Sequence, residues 1–451
     1  MTRHGRMKQV WLLITFLLLA ANGFAANHYV REGGSGNGSD WTNACASLTG
    51  SCALVRGDTY FVATGSYGGL SIGTPVSGTT PITIKGATAA DHGTDVGWSN
   101  SLGVDVTQAT FSSIALANNT GYVVIDGNTG DPSVSNANMG FAILLSGSCG
   151  GDRNLITVGG GTPAPTHVTF SHFALLSCTG DYQRFAFFEP QVGARVQNLT
   201  LSHIRFDGWQ VSVYSHDDFE TFDHNYIVNP YDSPAHHGNQ VDIIDGSTHM
   251  TISNNYFTSC YGTTCMGAND AGNLCTTGLQ SSAIFGNVLQ GDQGGNGVIA
   301  ATTRCFIATT HIYNNTIYNN QVAWLAVCFA GGNCGLATGN VAENNLLYHT
   351  NCDVNINGGT LDYNSYQSCS GGTAPNEAHG QYGSTNFFAN APGGKFILAS
   401  DTAAWNSSGI PAGDEEDPLG ATRSSSRGAY QFPGMSTSRP QPPTGLAVVI
   451  Q

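Results

Sequence analysis

The sequence predicts an all-β chain wound into a solenoid, and three observations carry that prediction. A short apolar strand centred on an Asn recurs along the chain. A second set of strands precedes the recurrences. No stretch between them shows helical periodicity. The recurring unit reads "LTLSHIRF" (199–206), "FETFDHNYIV" (219–228), "THMTISNNYF" (248–257), "SSAIFGNVLQ" (281–290), "THIYNNTIYN" (310–319) and "NVAENNLLYH" (340–349). Aligned on Asn255, the equivalent positions are Phe173, Ile204, Asn225, Asn287, Asn315, Asn345 and Asn364, in steps of 31, 21, 30, 32, 28, 30 and 19 residues. Steps of roughly 20–50 residues mark a solenoid, so each unit is one coil. The uneven steps mark loops inserted at its corners.

Stacked coils give the Asn a physical reason. Equivalent residues of successive coils lie about 4.8 Å apart. An Asn at a bend both donates to and accepts from its neighbours in the stack, so a ladder satisfies buried amides along a flat sheet. These Asn residues are scaffold.

The second column reads "QVSVY" (210–214), "QVDII" (240–244), "TCMGA" (264–268), "NGVIA" (296–300) and "WLAVC" (324–328). Alternation places Val211, Val213, Val241 and Ile243 inward, with Ser212 and Asp242 outward.

The ends of the chain read differently. "MTRHGRMK" is basic, "VWLLITFLLLAA" is apolar and "NGFA" ends in small residues, the pattern of a secretory signal peptide (1–25) cleaved after Ala25. The apolar run is too short to span a bilayer. The mature chain is therefore expected to be secreted, extracellular or periplasmic, with no membrane attachment after cleavage. The last segment, 436–451, is Pro- and Ser-rich and reads as an extended tail.

Removing Arg3, Arg6 and Lys8 takes the formal net charge from −15 to −18, and charged residues make up only 10% of the chain. An average domain carries roughly a quarter. Nucleic acid is excluded as a partner, because phosphates require a basic surface. Twelve Cys behind an export signal point to disulfides rather than metal ligands. Short-range pairs are expected at Cys45–Cys52, Cys328–Cys334 and Cys352–Cys369, while Cys260, Cys265, Cys275 and Cys305 remain open.

Strand–Asn–strand coils of this length resemble the right-handed parallel β-helix of the pectate-lyase-like superfamily. "HYVREGGSGNGSDW" (28–41), "GDTYFVATGSY" (57–67) and "PITIKGA" (81–87) are similar to the entry region of such proteins, and "RGAYQF" near residue 430 resembles a closing coil. The resemblance implies a single-stranded right-handed parallel β-helix over about residues 26–435. It implies a carbohydrate-active protein, and the superfamily also includes adhesins and tailspikes.

Candidate chemistry gathers after the second column, where acids, His and Arg occur together. "YSHDDFE" (214–220), "IIDGS" (243–247), "GANDAG" (267–272) and "ATTRC" (301–305) supply Asp217 or Asp218, then Asp245, Asp270 and Arg304 on four successive coils. His236 and His237 precede Asp242. Carboxylates about 4.8 Å apart suit a Ca²⁺ clamp or a retaining pair, and each Asp is also suited to capping a turn. Asp217, Asp218, Asp242 and Asp245 form the expected Ca²⁺ set. Resemblance to the β-helix lyases implies Ca²⁺-assisted β-elimination on a uronate-containing extracellular polysaccharide. In that scheme His237 serves as base, Arg304 binds the carboxylate, and Asp245 and Asp270 take part in the chemistry. Trp209, Tyr214 and Arg205 are the expected substrate contacts, with Tyr231, Tyr261 and Trp324 as further aromatics. "SHDD" (215–218) and "HHG" (236–238) resemble elements of galacturonan hydrolases, whose NTD and RIK elements are missing, so paired-carboxylate hydrolysis is the alternative. A non-catalytic glycan-binding protein is the third reading.

Overall fold

The computed structural model describes residues 25–144, 154–177, 185–189, 194–230, 239–244, 246–260, 264–269, 275, 278–291, 297–302, 304–329, 333–390, 395–398, 417–418 and 427–430. Its strands pair in parallel from coil to coil, in a 10-stranded sheet and a 23-stranded sheet that bends at a corner. The chain is a parallel β-helix of three faces. Thr221–Asp223 lies on the first face, Tyr226–Val228 on the second and Val211–Ser215 on the third.

The entry region joins the first face directly. Asn27–Val30 pairs with Thr59–Val62, which pairs with Ile82–Gly86. Each face buries one side of its strands. Leu201, Phe222, Ile252, Ile284 and Ile312 stack inside the first face, and Phe206, Ile227, Phe257, Leu289, Ile317 and Leu347 inside the second. All belong to one continuous core. Burying each such side chain stabilises by about 1.5–3 kcal/mol.

The corner between first and second faces explains the Asn column. The residue before each ladder position has positive φ: His203 (53°), His224 (53°), Asn254 (56°), Gly286 (67°), Asn314 (52°) and Asn344 (58°). His and Asn are among the side chains that tolerate this region, and Gly is free there. The bend turns the next residue inward, and its amide must find partners. Asn225 donates to Asn255 at 3.0 Å, Asn255 to Asn287 at 2.9 Å, Asn287 to Asn315 at 2.9 Å, Asn315 to Asn345 at 3.0 Å and Asn345 to Asn364 at 2.9 Å. Asn364 closes the run by donating to Glu377 Oε1 at 3.0 Å. Phe173 and Ile204 pair in the same column, as the repeat alignment predicts.

The third face departs from the expected register. Val213, not Val211, lies beside Val241, a shift of two that preserves which residues point inward. Asp242 lies beside Gly267 rather than Met266, a shift of one that reverses the assignment for that strand. The loops entering this face differ in length, so counting from the ladder misplaces the strand.

Among the described residues the last coil strand is Gln381–Gly383, paired on Ser365–Gln367. The chain near residue 430 is not a closing coil. Gly428 N–H bonds to Asn344 O at 2.9 Å and Ala429 N–H to Thr316 Oγ1 at 2.9 Å. Ala429, Phe387, Phe388, Phe396 and Leu398 pack over Val288 and Leu346 on the outside of the second face.

The expected disulfides Cys45–Cys52, Cys328–Cys334 and Cys352–Cys369 are present, and the open four pair as Cys260–Cys265 and Cys275–Cys305. Among the described residues no helix is long and apolar enough to cross a membrane.

Candidate functional site

The outward side of the third face carries a polar track along the helix axis, in which Asn239, Asp242 and Thr264 are buried. Tyr214, Asp242, Gly267, Ala300, Ala326 and Asn355 occupy one column, alternating with the inward Val213, Val241, Met266, Ile299 and Leu325. Asp242 is clamped from both sides: Asn239 Nδ2 donates to Oδ1 at 3.0 Å and Asn269 Nδ2 to Oδ2 at 3.4 Å. Thr264 Oγ1 donates to Asn239 Oδ1 at 3.1 Å, and Thr302 Oγ1 to Asn269 Oδ1 at 3.0 Å. The hydrogen bonds therefore cross three coils. Gly267 leaves room at the centre, because a Cβ there would stand 2.7 Å from Thr264 Oγ1.

Aromatic rings close one end of this track. Phe188 lies beside Tyr214 in register, their centroids 5.4 Å apart, and Phe185 adds a second contact at 4.5 Å. Asp242 follows Tyr214 on the next coil. At the other end Arg304 is exposed. Its turn is fixed by Cys305 N–H to Thr302 O (3.0 Å), by Asn333 Nδ2 to Arg304 O (3.0 Å) and by the Cys275–Cys305 bridge.

Of the expected acid column, Asp217, Asp218 and Arg304 are described, while Asp245 and Asp270 lie outside the described residues. Asp218 lies beside Thr248 on the next coil, and Thr248 beside Gln280. The corners differ in length: Ser215 pairs with Ile243, while the Asp217 N–H bonds to Ser247 Oγ at 3.2 Å, so the second coil carries two extra residues. His236, His237, Tyr231 and Tyr261 also lie outside the described residues.

The described members of the Ca²⁺ set do not converge either. Asp217 is 0% exposed and stands between Val196 and Ser247 in an inward column. Asp218 pairs with Arg195 Nη1 at 3.1 Å and accepts from Thr248 Oγ1 at 2.8 Å. Asp242 lies on the outer third face with both oxygens engaged by amides. Among the described residues no group of three or more His, Cys, Asp or Glu is arranged to hold a metal ion.

Two expected sugar platforms are core residues. Trp209 is 1% exposed and its indole N–H bonds to Leu175 O at 2.7 Å; Trp324 is fully buried. Large aromatics just before a strand pack under the corner and fill it. Arg205 lies on the second face, its guanidinium 5.1 Å from the Tyr226 ring centroid and bonded to Pro132 O at 2.8 Å. It is remote in the coil from the third-face track. The aromatic columns of the other faces are poor sugar platforms as well: Tyr226 and Tyr256 stack on each other 5.0 Å apart, which occupies ring face with ring face.

Two residues absent from the sequence reading join Asp217 in the interior. Glu189 and Glu220 are each 1% exposed. Burial and the neighbouring Glu220 raise the Glu189 carboxyl well above its ordinary range, and burial with both glutamates does the same for Asp217. Burial brings Glu220 up to about 7. The repeat alignment held a signal: it sets Glu220 level with Met250, a core position.

No protein-family model matches the sequence, and no curated protein matches it. Solved structures similar to this chain include a GH136 lacto-N-biosidase from Eubacterium ramulus, at 11% identity over 84% of this chain and 71% of that one, with a TM-score of 0.47. Pectate lyase Pel9A is similar at 15% identity over 91% of this chain and 98% of its own, with a TM-score of 0.39. The β-helix assignment rests on the strand register above, and the site must be argued from its own residues.

Proposed function

We propose that this chain is an exported, carbohydrate-active β-helix that binds an acidic polysaccharide along the outer third face and cleaves it by β-elimination. The observation that carries this reading is the continuous track Asn239–Asp242–Asn269–Thr302, bounded by Tyr214 and leading to the turn of Arg304. A chain of sugars requires a rigid row of donors and acceptors repeating along one direction, with an aromatic ring at its edge, and the stacked coils supply that row. Arg304 is the residue for a uronate carboxylate, since a guanidinium stays charged and binds it in a fork. His237 is the candidate base from the sequence. Because the described acids do not converge, no step is assigned to Ca²⁺.

The test incubates purified protein with a polysaccharide panel, with added Ca²⁺ or with EDTA, following 235 nm absorbance and reducing ends. Unsaturated products from a uronate polymer are expected. Arg304→Ala and Asp242→Asn should each lower kcat/KM by about 100-fold or more, the scale of losing one charge-stabilising contact. Their melting temperatures should stay within a few degrees of the parent. Reducing ends without 235 nm absorbance would replace elimination by hydrolysis. Full activity in both variants would move the site elsewhere.

Export is part of the same proposal, supported by the five disulfides among the described residues and by the entry strand. The Ala26 N–H bonds to Asp58 Oδ1 at 2.9 Å, and His28 Nε2 lies 2.9 Å from Oδ2. Cleavage after Ala25 would turn the first contact into an ammonium–carboxylate pair. The exported protein should therefore begin at Ala26 by mass spectrometry, and a first residue beyond His28 would contradict it.

A further inference from the structure

Three carboxyl side chains meet inside the coil at the corner between third and first faces. The register places Glu189 between Val158 and Ser215, because Thr157 pairs with Phe188 and Phe188 with Tyr214. Asp217 stands between Val196 and Ser247. Glu220 holds the position taken by Leu199 on one neighbouring coil and Met250 on the other. Apolar residues therefore surround most of a site with three acids.

Few partners meet them there. Glu189 Oε2 accepts the His216 N–H at 2.8 Å, and Glu220 Oε2 accepts the Ser215 hydroxyl at 2.5 Å. Glu189 Oε1, Glu220 Oε1 and both carboxyl oxygens of Asp217 have no hydrogen-bond partner among the described residues. The surrounding charged groups are few. On the preceding coil Arg195 is committed to Asp218 and to the Gly246 carbonyl. On the same coil His216 and Asp218 flank Asp217, and the next coil brings Ser247 and Thr248.

Three anions cannot remain together in such a place. Each pays a large desolvation cost, and each repels the other two. Either protons or a cation must neutralise them. Absence of an ion-holding arrangement among the described residues favours protons. A protonated carboxyl also gains a donor, which an adjacent carboxylate oxygen accepts.

We propose that Glu189, Asp217 and Glu220 form a proton-sharing clasp inside this corner, so that the helix is held closed by bound protons and loosens as they leave. The linkage follows from the directions of titration. Folding raises these groups, to about 7 for Glu220. The folded chain then holds more protons than the unfolded chain above the ordinary carboxyl range near 4. The contribution to stability is complete at or below that range and is lost as pH rises through the folded values.

The experiment uses the full disulfide-bonded chain in EDTA and measures the guanidinium unfolding midpoint from about pH 5 to about pH 8. The parent midpoint should fall across this window. Asp217→Asn and Glu220→Gln should each remove at least half of the fall, while Asp218→Asn and His216→Gln leave its size unchanged. As a check needing no variant, infrared spectra of the parent should show a protonated-carboxyl band at about pH 6 that weakens as pH rises through the Glu220 value of about 7. A flat parent profile, a fall unaffected by either variant, or no such band would overturn the proposal. A midpoint at about pH 8 that millimolar Ca²⁺ raises in the parent but not in the variants would replace protons by a metal ion.

Discussion

Asn287→Ala should lower the stability of the folded chain by about 3–5 kcal/mol, more than an ordinary side-chain hydrogen bond is worth. The size comes from how many groups the substitution leaves unpaired. Asn287 Oδ1 accepts from both the N–H and the Nδ2 of Asn255, and Asn287 Nδ2 donates to Ile252 O and Asn315 Oδ1. All four partners are buried, so none can turn to water, and each orphaned group costs about 1–3 kcal/mol before relaxation. Denaturant unfolding of the parent and variant checks the value. A loss below about 1 kcal/mol would mean that the ladder relaxes around a gap. Gln197→Ala, a substitution of an exposed side chain outside the ladder, serves as the comparison and should change little.

Removing the Cys275–Cys305 bridge should cost about 3–4 kcal/mol. The bridge closes a loop of 30 residues, and the chain-entropy relation gives a cost between those of 15- and 100-residue loops. The Cys275→Ala/Cys305→Ala protein should therefore melt several degrees lower. It should also lose activity at temperatures where it remains folded, because Cys305 anchors the turn that presents Arg304. Cys45→Ala/Cys52→Ala closes only 7 residues, lies in the entry region, and should leave kcat/KM unchanged. If removing either bridge affects activity equally, Arg304 does not depend on its anchor.

The ladder was legible because its geometry repeats in the sequence. One inward amide per coil, preceded by a residue at positive φ, leaves the pattern His-Asn, Asn-Asn or Gly-Asn at most of these bends. The short disulfides were legible for a similar reason, since their partners lie a few residues apart across one turn. The corner after the third face was not. From Ser215 to Asp217 takes two steps, whereas from Ile243 to the equivalent Ser247 takes four, so residues at matching distances from their strands do not match in space. Asp217 read as a surface acid because Asp usually is one. Only its column, with Val196 on one side, shows it to be inside. Trp209 misled in the opposite way: an aromatic beside a turn resembles a sugar platform until its indole N–H is found bonded within the core.

The Asn ladder also has a direction. Every link runs from Nδ2 of one coil to Oδ1 of the next, from Asn225 towards Asn364, so the amide dipoles align head to tail. Their positive end emerges at Asn364, as at the N-terminus of an α-helix, and there the carboxyl of Glu377 receives both the N–H and the Nδ2 of Asn364. Tyr366 donates to the same carboxyl at 2.5 Å, holding it across the end of the stack. A β-helix grows by offering donors to the next turn of chain, and that offer is equally open to another molecule. Glu377 answers it from within the same chain, at the corner where the Asn ladder stops.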